Sequence, residues 1–155
     1  MRTQINQDIK TDSLHKMLEL SFDAESSYEE LKINTVNSEL VQWLTEKQEL
    51  TTDFIMKILT LLQHYEVPPR SNTTLKGKIG KMWLDMKLKV FKLDASLIVK
   101  ECCKIDDLML DMLSKQMEEP ITPETNTLYE CYRKKFKALL TPKLEIPKNK
   151  NVLVY

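Results

Sequence analysis

The chain has 155 residues, of which 23 are basic and 23 acidic, which gives a formal net charge of +0. This balance argues against binding to nucleic acid or to a membrane surface, since both partners call for an excess of positive charge. The chain has 2 glycines and 6 prolines, too few turn residues for the many reversals of a β-sandwich or barrel. The composition therefore predicts one all-α domain.

Two long helices are predicted in the first half of the chain. The first begins at Asp12 or Ser13 as the N-cap and continues to about Lys32, with apolar or small side chains every three or four residues. The second covers about residues 37–65 and is closed by two consecutive prolines. Because the connection between them is so short, we expect the two helices to pair antiparallel.

Three further helices are predicted in the second half. The third begins after Thr73 or Thr74, and the fourth begins after Asp94. Since little chain separates the third helix from the fourth, they are expected to form a second antiparallel hairpin. Thr122 before Pro123 marks the start of a fifth helix, which ends at the next proline.

These helices set the expected domain bounds. Residues 1–11 are predicted to be an N-terminal tail, residues 12–140 the bundle and residues 141–155 a C-terminal tail. No signal peptide is recognisable, and no stretch approaches the roughly 18 apolar residues needed to span a bilayer. The three cysteines show no metal-type spacing and are typical of free thiols in a reducing compartment. We therefore expect a cytoplasmic protein.

The third predicted helix has an apolar second face. Small and apolar residues share this face: Gly77, Gly80, Leu84, Leu88 and Phe91. A face of this kind is covered either by another helix of the same chain or by a second copy of the chain. The fifth helix has an apolar stripe of its own, so cover within the chain is favoured over a two-fold dimer.

Three segments of the chain carry a resemblance to a known family: Asp23-Ala24-Glu25 followed by Tyr28, residues 77–87 (GKIGKMWLDMK) and residues 98–107 (IVKECCKIDD). They resemble the first, third and fourth helices of a bacterial family of ferritin-like four-helix-bundle proteins whose function is unknown. The resemblance covers about residues 12–140. It implies an all-α, ferritin-like antiparallel four-helix bundle with an additional C-terminal helix, and it implies fold far more than activity.

The resemblance raises the question of a metal centre, because the wider ferritin-like superfamily binds two iron or manganese ions through glutamates and Glu-x-x-His motifs. The chain contains no Glu-x-x-His, and His15 and His64 lie near the ends of predicted helices. A residual metal site would have to come from acidic residues, of which the candidates are Glu25, Asp85, Glu101, Asp106 and Glu130. Carboxylates without imidazoles favour a metal-free core.

Glu25 and Lys47 are predicted to form a buried pair. Each lies within the apolar stripe of its helix, and the first hairpin brings them to about the same level. An inward carboxylate without a partner would cost several kcal/mol or become protonated, and the sequence offers a lysine as its partner.

No Ser-His-Asp pattern and no phosphate-binding loop occurs in the sequence. We therefore expect a non-enzymatic helical bundle without a cofactor, acting as a structural or interaction module on an unknown protein partner or on a second copy of itself. The alternative is a carboxylate-bridged protein that binds two iron or manganese ions or performs oxidation with them.

Overall fold

The computed structural model describes residues 2–69 and 95–142, with side chains from Thr11 onward. This part of the chain is helical and contains no strand, which confirms the predicted all-α class. Its four helices are α1 (Arg2–Ile33), α2 (Ser38–His64), α3 (Ala95–Met117) and α4 (Pro123–Ala138).

Local caps explain where α2 and α4 begin. The side chain of Asn37 accepts hydrogen bonds from the backbone N–H groups of Glu39 and Leu40, at 3.0 and 3.1 Å. The Thr122 hydroxyl accepts one from the Thr125 N–H at 3.2 Å, with proline at the first helical position. These side chains satisfy N–H groups that the first turn of a helix leaves without partners.

The predicted start of the first helix is wrong, because α1 begins at Arg2. Residues 2–11 contain neither glycine nor proline, so nothing in them stops a helix. Ser13 lies inside α1, where its hydroxyl bonds to Tyr129 instead of capping the helix. His15 is likewise inside α1 and buried. The domain bounds drawn from the sequence stay a prediction.

The third predicted helix lies outside the described residues. The same holds for the residues assigned to its second apolar face and for one acidic candidate: Gly77, Gly80, Leu84, Asp85, Leu88 and Phe91. The predicted C-terminal tail is described only through residue 142.

The four described helices contact one another in a closed cycle. Helix α1 packs against α2 and α3, and α4 packs against the same two helices from the other side. Therefore α2 and α3 occupy opposite corners of the bundle, as do α1 and α4. The core between them is filled by buried side chains from all four helices, among them Leu14, Leu18, Leu44, Phe54, Ile58, Ile98, Leu113 and Tyr129.

Aromatic side chains join α4 to α2. Phe54 lies 4.9 Å from Tyr132 and 5.8 Å from Phe136, measured between ring centroids. The indole N–H of Trp43 donates to the backbone carbonyl of Leu139 at 2.8 Å. Aromatic pairs at such distances add to the free energy gained by burying their surface, so α4 is a full member of the described bundle.

Among the described helices, none is long and apolar enough to cross a membrane.

Candidate functional site

A buried ionic centre lies where α1, α2 and α3 meet. The Lys47 ammonium is 2.7 Å from Oδ2 of Asp106, and the Tyr28 hydroxyl donates to Oδ1 of the same carboxylate at 2.6 Å. The Lys47 and Asp106 side chains are only 2% and 5% exposed. Both carboxylate oxygens therefore have a donor in a region closed to solvent.

Aromatic rings surround the ammonium group. Lys47 Nζ lies 4.5 Å from the centroid of the Trp43 ring and 5.8 Å from that of Tyr28. The electron-rich faces of such rings attract a cation, and more strongly where water is excluded. The Cys102 thiol approaches Asp106 Oδ2 at 3.9 Å and adds a weak contact. The centre thus combines an ion pair with aromatic contacts.

The helical period explains how these side chains meet. Lys47 belongs to the buried face of α2, whose members recur every three or four residues: Leu40, Trp43, Leu44, Lys47, Thr51, Phe54 and Ile58. Asp106 follows Cys102 by four residues and shares the buried face of α3. Because a lysine stem is long and apolar, it can pass through the core and bring its charge to the opposite corner.

Burial shifts the pKa values of the acidic groups in the centre. Burial raises the pKa of Asp106, while the charge of Lys47 and the hydrogen bonds from Lys47 and Tyr28 act in the opposite direction. Burial and the nearby Asp106 charge raise the pKa of Tyr28 and of Cys102 well above their usual values. Tyr28 therefore remains a donor, and Cys102 remains a thiol instead of a nucleophilic thiolate.

The predicted pair of Glu25 with Lys47 is wrong. Lys47 is buried as predicted, but its partner is Asp106. Glu25 is only half-buried, and its Oε2 accepts a hydrogen bond from the exposed Thr52 at 3.1 Å. The reason is geometric, because Glu25 lies at the outer seam of α1 and α2 whereas the lysine stem crosses the centre of the bundle.

The other acidic candidates lie apart from one another. Glu101 is buried and paired with Lys104 of its own helix at 3.2 Å. Glu130 is exposed and lies 4.0 Å from Lys134. Across residues 11–69 and 95–142, whose side chains the structure describes, no three or more His, Cys, Asp and Glu side chains are grouped so as to hold a metal ion. Glu25, Glu101, Asp106 and Glu130 are therefore not brought together.

A groove between α2 and α4 forms a second candidate site, called the α2–α4 groove below. Its volume is about 550 Å³, and it is open to solvent. Leu61, Leu128 and the Tyr132 ring give it apolar surface, and polar side chains also line it: Lys57, Thr60, His64, Glu124, Thr127, Cys131 and Lys135. This groove was not predicted from the sequence, although Lys57, Leu61 and His64 are spaced along one helix face and were a signal for it.

One comparison with known proteins gives a match. A family model described as a domain of unknown function (DUF2383) matches residues 10–119. The matched region contains α2 and α3 together with most of α1, and it ends before α4 begins. No curated protein and no solved structure matches the chain.

Proposed function

We propose that this chain, which belongs to the DUF2383 family, is a non-enzymatic ferritin-like helical bundle that acts as a structural or interaction module. The ionic centre is the observation that carries this proposal. Ferritin-like metal proteins use carboxylates in the bundle core to hold two metal ions. In this chain the core carboxylate of Asp106 already has Lys47 as its cation.

A buried ammonium also opposes metal binding beside it. Two positive charges separated by a few Å in a region of low dielectric repel each other strongly. The Tyr28 hydroxyl donates a hydrogen bond to the other carboxylate oxygen of Asp106. A metal ion bound there would therefore have to displace both Lys47 and Tyr28. This arrangement supports a core that the protein neutralises with its own side chains.

The ferritin-like proposal includes an antiparallel arrangement. Thr52 bonds to Glu25 and Gln48 bonds to Glu29, so residue numbers fall along α2 as they rise along α1. Helices α2 and α4 are joined by a hydrogen bond from Trp43 to Leu139 and by one between Tyr65 and Thr122. Residue numbers again fall along one helix as they rise along the other, which supports an antiparallel pair. We further propose that α4 is an addition to the family's bundle, because the match ends at residue 119.

Cytoplasmic location is also part of the proposal. Cys102, Cys103 and Cys131 are free cysteines. Free thiols suit a reducing compartment.

Metal analysis of protein purified without a histidine tag tests the proposal. The protein is exposed to iron(II) and to manganese(II), separated from free metal, and measured by elemental mass spectrometry. We expect well below one equivalent of either metal per chain. About two equivalents that disappear in the double variant Lys47→Met/Asp106→Asn, which leaves no buried charge unpaired, and persist in the exposed control variant Glu130→Gln, would overturn the proposal in favour of the two-metal alternative.

A further inference from the structure

We propose that the α2–α4 groove binds an acidic amphipathic helix of a partner protein. This inference rests on the proposed function as an interaction module. It concerns a surface separate from the ionic centre, because α2 turns its buried face to that centre and the exposed side chains Lys57 and His64 to the groove.

The shape of the groove favours a helix as its occupant. Residues 57, 60, 61 and 64 of α2 form one wall, and residues 124, 127, 128, 131, 132 and 135 of α4 form the other. Both sets recur every three or four residues, so each wall is a ridge of a helix surface. The side chains of a third helix fit between two such ridges. The groove is open to solvent, whereas small-molecule sites bury most of the ligand surface.

Apolar side chains in the groove offer contacts to a partner helix. Leu61 and Leu128 are half-buried, and the Tyr132 ring lines the groove with them and contacts Lys135. Leucine-sized side chains of a partner helix would complete the burial of these surfaces. Apolar anchors of this kind dominate the affinity of helix-in-groove complexes.

The charged side chains of the groove favour an acidic partner. Lys57 and Lys135 are exposed, and neither forms an ion pair with a described residue; Lys135 Nζ instead lies 4.7 Å from the centroid of the Tyr132 ring. Glu124, the acidic residue that lines the groove, accepts a hydrogen bond from Tyr65 at 3.4 Å. The two lysines are therefore available to carboxylates of a partner, and a basic helix is repelled.

Two synthetic helical peptides test this proposal. They share one leucine face at helical spacing and carry either glutamates or lysines at their other positions, and fluorescence anisotropy measures their binding to the full chain. We expect micromolar binding of the glutamate peptide and about tenfold weaker binding of the lysine peptide. The double variant Lys57→Glu/Lys135→Glu should reverse this order. Lys100→Glu/Lys115→Glu, which makes the same charge change on α3, should preserve it.

Alkylation of Cys131 locates the bound peptide. Cys131 is exposed in the groove, whereas Cys103 is half-buried on α3. The glutamate peptide should slow alkylation of Cys131 by iodoacetamide about tenfold at saturation and leave the rate at Cys103 unchanged. Equal binding of both peptides, no binding, or an unchanged rate at Cys131 would each overturn the proposal. None of these results bears on metal content, which tests the proposed function independently.

Discussion

Lys47 and Asp106 are separated by 59 residues in the sequence, yet their charged groups lie 2.7 Å apart in the core. The pair joins α2 to α3 across one diagonal of the bundle. Ser13 and Tyr129, whose hydroxyl groups are 2.8 Å apart, join α1 to α4 across the other. Because a buried charge without its partner is strongly unfavourable, the Lys47–Asp106 contact penalises any arrangement that separates these two positions.

Replacing Lys47 with methionine should lower the free energy of unfolding by about 3 to 5 kcal/mol, because it leaves the Asp106 charge buried without a cation. The double variant Lys47→Met/Asp106→Asn should recover much of this loss, since neither charge then remains. Denaturant unfolding followed by circular dichroism gives the free energies of both variants and of Asp106→Asn alone. Losses that simply add in the double variant would mean that the two side chains do not act as a pair.

The cost of Lys47→Met should also depend on pH. Lys47 counteracts the rise that burial causes in the pKa of Asp106, so its removal raises that pKa further. A carboxyl group whose pKa is higher in the folded state than in the unfolded state stays protonated to a higher pH when the protein is folded. Between these two pKa values, the free energy of unfolding therefore falls as the pH rises. Lys47→Met should therefore approach the wild type in stability as the pH is lowered from neutrality.

Unfolding curves at a series of pH values measure this dependence. Lys47→Met/Asp106→Asn is the control, because it has no carboxyl at position 106 to titrate. A stability difference between the wild type and Lys47→Met that stays constant from neutral to acid pH would contradict the assignment to Asp106.

Tyr28→Phe should cost about 2 kcal/mol of stability, because the buried Asp106 carboxylate loses the hydroxyl that donates to its Oδ1 atom. Tyr65→Phe is the matched control. The hydroxyl of Tyr65 bonds to the half-buried Thr122, where water can replace it, so that we expect a loss of about 1 kcal/mol or less. Thermal unfolding of both variants beside the wild type measures the difference, and equal losses would contradict a special role for Tyr28.

The helix periods and caps made much of the described fold predictable. Asn37 and Thr122 are capping residues, and a cap acts through neighbours only a few residues away. The start of α1 was misplaced because Asp12 and Ser13 look like caps locally, while Ser13 in fact bonds to the distant Tyr129. A capping residue in the sequence permits a helix to begin there but does not require it.

The candidate sites were less predictable for a geometric reason. Periodicity placed Lys47 in the core, since it gives the direction of a side chain around its own helix. It does not say which helix lies opposite, and the long lysine stem reaches past α1 to Asp106. The α2–α4 groove depends on the packing of two helices that are not consecutive in the sequence, so no local pattern could define both of its walls.

Removal of α4 should destroy the cooperative fold. A chain that ends after Glu119 keeps the region matched by the family model but loses Tyr129, Tyr132 and Phe136, which cover Phe54. We expect it to bind a hydrophobic dye strongly and to unfold without a sharp transition.

A milder change gives the same test within the full chain. Phe136→Ala should lower stability by about 3 kcal/mol, and the exposed control Lys137→Ala should leave it nearly unchanged. A shortened chain that melts as sharply and at the same temperature as the full chain would mean that α4 is dispensable for folding.

The ionic centre also restricts how this sequence can evolve. A mutation that removes Lys47 alone leaves a buried anion, and one that removes Asp106 alone leaves a buried cation, so either first step produces a poorly folded protein. A chain that has lost both charges can fold, but evolution can reach it only through one of these two single mutants. Descendants of this chain should therefore keep both charges or lose both, and Tyr28 should become free to lose its hydroxyl only after Asp106 has changed.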